Sequence, residues 1–442
     1  MSIGLLLKAR VKPTLFGKMT GKSQSPEKLL ADLDKWILEY CTELRPINFI
    51  GTRDDKPTLF CRLHPAAEDL ELSVTGPNEF TASANTSTVG PGYHIFVCDM
   101  LHKLGKHFNA VWEDPSDDFV DEAGYFHSGN QDQVFAEMST WLKAVAGAFF
   151  DGTLTDHHSI RLAMPVDAGF EADERAVTPL GPRDLDWLKK TAADTSNGRD
   201  FFAWWSPGLN ADYFLGRALA RMWSDVRWRK PINDIEREML KYVSGSLETA
   251  YKLDSDLNYP WAEWTEILGY LQDDDTELDF VRQHAKNVVP KIGYRRRDVS
   301  VQLPGFWWIT LPGSFSEFRE QDDALLSQDP PREVWYSGYR FGDDPKASFA
   351  HWRSETVKMS KEFVEESEGY IAEAQISQRR TDGGKEYFAL TSSNICSTGR
   401  CICTIVFTDP EDREWAIKTW KSLKPPAGET SFPQADNLVN PK

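Results

Sequence analysis

Three consecutive segments near the carboxyl end limit the fold more than any other feature of the sequence. In "YIAEAQISQ", Tyr370, Ala372, Ala374 and Ile376 share one face, which is the alternation of a half-buried strand. The turn residues "DGGKE" lead into "YFALTSSNICS", and "TG" leads into "CICTIVFT". The pattern predicts a three-stranded antiparallel meander.

The segments around this meander predict two more strands, "VSVQL" and "FWWITLP", then a third in "EVWYSGYRF", a long helix in "KASFAHWRSETVKMSKEFVEE" and a closing helix in "DPEDREWAIKTWKSL". With "WITLPGSF" and "VFTDPEDREWAIKTWKSL", this order resembles the PsbP/DcrB-like α/β domains over residues 298–425. The resemblance implies an α/β sandwich of a class that mostly serves in binding, assembly or chaperone-like roles. Residues 426–442, rich in proline and polar side chains, predict a flexible tail.

The first 150 residues predict an α+β domain. A helix in "SPEKLLADLDKWILEYCTEL" has Ser25 as its cap and Pro26 at its first position. The strands "INFIGT", "PTLFCRL", "LELSV" and "EFTASA" then predict an antiparallel sheet covered by helices. Residues 151–297 predict a mainly helical region, either independent or packed on the first domain. No family is recognised for residues 1–290, and the whole chain is expected to be α+β.

Composition limits the class of function. The chain has 442 residues, enough for two or three domains, and its 50 Lys and Arg against 68 Asp and Glu give a net charge of −18. This balance disfavours nucleic acid and membranes, and suits either a basic protein partner or solubility alone. Six cysteines and no signal-peptide or membrane pattern indicate a cytoplasmic protein. Acidic runs at Asp114–Glu122 and Asp273–Asp279 are expected to be solvated loops.

The stretch "TVGPGYHIFVCDMLHKLGKHF" carries the main candidate site. His94 lies in the first helical turn after Gly90-Pro91-Gly92, where free backbone N–H groups favour an anion and a neutral imidazole. Gly90, Gly92, Tyr93 and His94 are therefore candidate binding residues, with His94 as a base or metal ligand. The alternative is a buried histidine that is hydrogen-bonded to the fold.

Two groups of residues offer metal ligands. His94, Cys98 and His102 follow an i, i+4, i+8 ladder, although a tetrahedral site would need a ligand from elsewhere. If Thr398-Gly399 is a two-residue hairpin loop, Cys396 faces Cys401 across the strands, with Cys403 on the same face. The alternative for these thiols is ordinary packing, and no cofactor is expected.

Aromatic residues in "FFAWWSPG", including Trp204 and Trp205, could form a stacking surface or part of a core. The nucleotide, zinc-protease and kinase motifs are missing from the sequence.

The leading hypothesis is thus a non-catalytic bacterial binding protein that captures a basic protein. In character it is similar to immunity or adaptor proteins of toxin systems. Alternatives are an enzyme that uses His94, or a structural subunit. The oligomeric state is left open.

Overall fold

The computed structural model describes residues 2–12, 25–150, 160–161, 176–271, 275–286, 288–319, 324–341, 348–352, 362–367 and 370–426. These form two compact units. The first contains the described residues of Met1–Asp167, Glu171–Val226 and Asn233–Gly293, and the second those of Arg227–Ile232 and Tyr294–Lys442. The predicted tail lies outside the described residues from position 427 onward.

A seven-stranded antiparallel sheet organises the first unit. Its strands are β1 (Gly4–Val11), β2 (Ile47–Arg53), β3 (Lys56–Arg62), β4 (Leu70–Gly76), β5 (Glu79–Asn85), β6 (Ala110–Trp112) and β7 (Val120–Asp121). Their order is β2-β3-β4-β5-β1-β6, and β7 also pairs with β1. Strands β2 to β5 confirm the predicted sheet. The sequence analysis did not predict β1, which lies between β5 and β6.

Helices cover this sheet and build the rest of the first unit. They are α1 (Pro26–Tyr40), α2 (Pro91–His107), α3 (Tyr125–Ser128), α4 (Gln131–Phe150), α5 (Leu185–Ala193), α6 (Ala211–Ser224), α7 (Asp234–Leu253), α8 (Trp261–Leu271) and α9 (Asp275–His284). Ser25 caps α1 as predicted, because its hydroxyl accepts a hydrogen bond from the Lys28 N–H at 3.4 Å. The sheet and α1 and α2 share one buried core.

Three further elements of the first unit connect these helices. A 3-10 turn, Thr42–Leu44, follows α1. A small sheet consists of β8 (Ile160–Arg161), β9 (Ala176–Thr178) and β10 (Gly181–Arg183). A second 3-10 helix spans Thr195–Phe201. No helix in the described part of the chain is both long enough and apolar enough to cross a membrane.

The second unit contains two antiparallel sheets and a closing helix. A pair is formed by β11 (Asp298–Leu303) and β12 (Trp307–Pro312). A seven-stranded sheet contains β13 (Ser316–Arg319), β14 (Leu325–Asp329), β15 (Arg332–Arg340), β16 (Phe363–Ser367), β17 (Tyr370–Arg380), β18 (Glu386–Cys396) and β19 (Gly399–Phe407), in the order β13-β14-β15-β19-β18-β17-β16. The closing helix is α10 (Arg413–Lys421).

The meander and the α+β class are confirmed, since β17, β18 and β19 are consecutive antiparallel neighbours. Of the predicted long helix, residues 348–352 are helical and residues 353–361 lie outside the described part of the chain. Its predicted end is wrong, because Phe363–Ser367 forms strand β16, paired with β17. The hairpin register differs from the prediction. Cys396 pairs with Gly399, so Cys401 lies opposite Asn394 and not opposite Cys396. A Cβ on Gly399 would lie 2.5 Å from the Tyr339 carbonyl oxygen, which explains why glycine begins β19 and is not in the loop.

Candidate functional site

The glycine-rich turn before α2 is held tightly against the segment that contains Trp204. Gly90 has a φ of 126°, a conformation that favours glycine, and a Cβ there would lie 2.6 Å from the Trp204 carbonyl oxygen. The Gly92 N–H donates to that oxygen at 3.1 Å, and the Trp204 N–H donates to Val89 O at 2.9 Å. The Gly92 N–H, which the sequence-based hypothesis assumed to be free for an anion, is therefore already bonded within the protein.

The other candidate binding residues around the turn are mostly core. Tyr93 and Trp204 are fully buried, with ring centroids 6.0 Å apart. Trp205 is partly buried, and its ring lies 5.5 Å from that of Phe202. The two stretches that the sequence suggested as separate sites, Gly90–His94 and Phe201–Gly208, are thus packed together in one core.

His94 is paired with a carboxylate inside this core. Its Nε2 lies 3.0 Å from Oδ1 of Asp121, and both side chains are at most 1% exposed. Its Nδ1 lies 2.8 Å from the hydroxyl oxygen of Thr86, whose single proton can go either to this nitrogen or to Ile3 O at 3.2 Å. Both ring nitrogens therefore have partners, and Asp121 fixes the tautomer with a proton on Nε2.

Asp121 is itself fixed by the backbone that follows it. Its Oδ1 accepts from the Ala123 N–H at 3.0 Å, and its Oδ2 accepts from the Phe126 N–H at 2.7 Å. Burial raises the pKa of Asp121, but the hydrogen bond and charge of His94, together with these backbone N–H groups, outweigh it and leave the pKa below its usual value. Asp121 is therefore a buried carboxylate that stays ionised.

Cys98 completes a buried cluster of three potential metal ligands. Its Sγ lies 3.6 Å from Nε2 of His94, and the ligand atoms of His94, Cys98 and Asp121 all lie within 4.8 Å of one another. His102, the third member of the predicted ladder, turns away, and its Nε2 lies 2.7 Å from Phe126 O. Asp121 is thus the potential metal ligand from outside α2 that the His94-Cys98-His102 ladder needed.

The cluster fits hydrogen bonding better than a metal ion. Zinc bonds of about 2.0–2.3 Å would set tetrahedral ligand atoms about 3.3–3.6 Å apart, near the separations found. However, the two lone pairs of Asp121 Oδ1 are already used by His94 and by Ala123. Burial, then the charges of Asp121 and Asp99, raise the pKa of the Cys98 thiol well above its usual value, which disfavours the thiolate that a metal needs.

Sequence reasoning missed Asp121 because it lies in the acidic run Asp114–Glu122, which was expected to be solvated. The run is indeed exposed at Asp114, Asp117 and Asp118, whereas Asp121 is 4% exposed. One local signal could have indicated the difference. The small residues Ala123 and Gly124 follow Asp121, and an aspartate often binds the N–H two residues further on in such turns.

The three cysteines of the second unit lie in its core. Cys396, Cys401 and Cys403 are all buried and share one face of the sheet. Burial raises the pKa of Cys403 to about 12 and that of Cys401 well above its usual value. Buried thiols of this kind serve as small apolar side chains.

Comparisons with known proteins assign no family. No family model matches the chain, and no curated protein matches it. One solved structure, of a protein from Bacteroides thetaiotaomicron VPI-5482, has a TM-score of 0.25 and 12% identity over 30% of this chain. The match spans half the length of that protein. The resemblance of residues 298–425 to PsbP/DcrB-like domains stays a prediction.

Proposed function

We propose that the chain is a non-catalytic binding protein of the bacterial cytoplasm that captures a basic protein partner on its first unit. One observation carries the proposal. The sequence of the first unit holds 28 Lys and Arg against 45 Asp and Glu, and that of the second holds 22 against 23. The net charge of −18 is therefore −17 on one unit and −1 on the other. A charge needed only for solubility would not have to be segregated in this way.

The segment between β6 and β7 offers carboxylates to such a partner. Asp114, Asp117 and Asp118 are exposed, and they lie within six residues of the chain. Like charges on one loop repel each other in the free protein, and a basic partner relieves that repulsion on binding. Their field also speeds the approach of a basic surface, so the main effect is on the association rate.

The burial of His94 supports binding over catalysis at the Gly90–His94 turn. His94 is 0% exposed, and its Nε2 and Nδ1 already bond to Asp121 and Thr86. A general base must come within hydrogen-bond distance of a substrate proton. His94 has no such access while its side chain is buried and both of its nitrogens are bonded.

The test compares two triple variants that remove the same charge. One replaces Asp114, Asp117 and Asp118 with asparagine, and the matched control replaces the exposed second-unit residues Asp382, Glu411 and Glu414 with the corresponding amides. Each tagged protein is used to capture partners from its bacterial host, and the association rate of the captured partner is then measured against salt.

We expect a basic protein whose association rate falls as ionic strength rises and drops about tenfold or more in the first variant at low salt. The second-unit variant should retain the rate of the unchanged protein. A partner without basic character, an association rate independent of salt, or equal effects of the two variants would contradict the proposal.

A further inference from the structure

A second feature of the first unit is basic, although the unit as a whole is acidic. A hollow of about 90 Å³ opens where the 3-10 turn Thr42–Leu44, the end of β3 and the last turns of α6 meet. Its polar lining consists mainly of four arginines, one histidine and one aspartate: Arg45, Arg62, His64, Arg217, Arg221 and Asp225. Its volume is that of about three water molecules, or of one tetrahedral oxyanion.

Arg217 supplies a buried positive charge without a carboxylate. The residue is 3% exposed. Its guanidinium donates to the carbonyl oxygens of Glu43 and Leu44 and to the Tyr213 hydroxyl, all neutral acceptors. Among the described residues no carboxylate pairs with it, and its Nε has no hydrogen-bond partner. A buried cation without a counter-ion is costly, so the position favours an anion.

His64 lines the same hollow and holds a buried hydrogen-bond donor that is unused. Its Nδ1 accepts from the Ala66 N–H at 3.1 Å, which places the proton of the neutral ring on Nε2. The residue is 1% exposed, and Nε2 has no partner in the described part of the structure. Burial, then the charges of Arg217 and Arg221, lower the pKa of His64 to about 3, so the ring is a neutral N–H donor at physiological pH.

The remaining arginines leave a local excess of positive charge. Arg221 pairs with Asp225 at 2.5 Å, and Arg62 pairs with Asp69 at 3.0 Å. Arg45 is exposed and lies over the ring of Tyr242, with 5.5 Å between its guanidinium carbon and the ring centroid. Four arginines and one aspartate line the hollow, and Asp69 pairs with one of these arginines from outside the lining, which leaves an excess of two positive charges.

We propose that this hollow binds a phosphoryl group, either as inorganic phosphate or at the end of a small phosphorylated molecule. A phosphate dianion matches the excess of two charges, and its tetrahedral oxygens can accept from several guanidinium groups and from His64 Nε2 at once. A carboxylate offers one charge and two oxygens, which fits this set of donors less well. The proposal does not depend on the acidic surface and can hold or fail without it.

The test titrates the full chain at pH 7.5 and constant ionic strength, by calorimetry, with two probes: inorganic phosphate and glycerol phosphate. The test variant is Arg45→Gln, since Arg45 is exposed and its replacement should leave the fold intact. The matched control is Arg237→Gln, an exposed arginine of α7 in the same unit. The Nε2–H resonance of His64 is followed by NMR as a second readout.

We expect saturable binding at one site per chain, weaker by about tenfold in Arg45→Gln and unchanged in Arg237→Gln, with a shifted His64 resonance. Binding of both probes assigns the site to terminal phosphate groups, and binding of inorganic phosphate alone assigns it to the free ion. Absence of saturable binding by both probes, equal affinities of the two variants, or an unshifted His64 resonance would overturn the proposal.

Discussion

The first unit buries two histidines in opposite surroundings. His94 lies 3.0 Å from the Asp121 carboxylate, and both of its nitrogens are bonded. His64 lies near the positive charges of Arg217 and Arg221, and its Nε2 is unpartnered among the described residues. Equal burial therefore has different meanings. A histidine whose two ring nitrogens are both bonded within the protein is structural. A histidine with an unused hydrogen-bond donor can bind a ligand.

The comparison predicts that the His94 pair is essential for stability. Replacing Asp121 with alanine removes the acceptor of the His94 Nε2–H and leaves the N–H groups of Ala123 and Phe126 without theirs. We expect the free energy of unfolding to fall by about 3–5 kcal/mol. Urea unfolding followed by tryptophan fluorescence measures the loss. Asp118→Ala, in the same acidic run but exposed, should change stability by about 0.5 kcal/mol or less.

The pKa of Asp121 gives this prediction a pH signature. Because the folded-state pKa lies below that of the unfolded chain, the pair stabilises the protein fully above about pH 4 and loses its contribution as the pH falls through the folded value. The Asp121→Ala variant should lack the loss of unfolding free energy that accompanies protonation of Asp121. A loss no larger than that of Asp118→Ala would mean that His94 is not held by a structural pair.

A buried histidine that stays neutral also loses stability as the pH falls, but from a higher pH than Asp121 does. The pKa of His64 is lowered from about 6.5 to about 3, so folding excludes its proton. Its contribution to stability is complete above about pH 6.5 and is lost as the pH falls toward 3, by about 2 kcal/mol between pH 7 and pH 5. Unfolding in phosphate-free buffer at these two pH values measures it.

Two histidine variants isolate this contribution. His64→Gln should reduce the difference in unfolding free energy between pH 7 and pH 5 by about 2 kcal/mol, because glutamine does not titrate. His127→Gln, at an exposed position, should leave the difference as it is in the unchanged protein. The same slope in all three proteins would show that His64 takes up a proton as readily as an exposed histidine, and the contrast with His94 would disappear.

The sequence predicted what depends on local periodicity. Strands β17 to β19 were predicted because alternation and turn residues coincide there, and α1 because its cap and first proline are adjacent. It did not predict β1, because the three successive leucines in "GLLLKARV" do not alternate with polar residues. The hairpin loop was predicted one residue too late, because Gly399 was placed in the loop and in fact begins β19. The sequence does not show that the Tyr339 carbonyl, distant in the chain, packs against Gly399 there.

The candidate site depends on contacts that no local pattern contains. His94 could be singled out from its turn, but its partner Asp121 lies on β7, at the end of a run of mostly exposed acids. The sequence did not single out His64, because the positive charges around it come from Arg217 and Arg221 on α6. Periodicity predicts which residues are buried; whether a buried polar atom finds a partner is decided by tertiary structure.

A smaller effect tests the second nitrogen of His94. In Thr86→Val the hydroxyl that contacts Nδ1 at 2.8 Å is lost and the shape is nearly kept. We expect a loss of about 1 kcal/mol in the free energy of unfolding. A double-mutant cycle with His94→Gln should give a coupling of about 0.5 kcal/mol or more. Strictly additive effects would show that Thr86 acts through Ile3 instead of through His94.

The smallest expected effect is that of metal ions on the His94 cluster. In the described residues, His94, Cys98 and Asp121 are the only group of three or more such ligands close enough together to hold an ion. Because Oδ1 of Asp121 is filled and the Cys98 thiol is protonated, we expect neither zinc nor a chelator to change the melting temperature. Cys98→Ala, which removes the thiol, should give the same null response. Elemental analysis that found one zinc per chain, lost in Cys98→Ala, would instead make the cluster a metal centre and would give His94 a role beyond its hydrogen bond to Asp121.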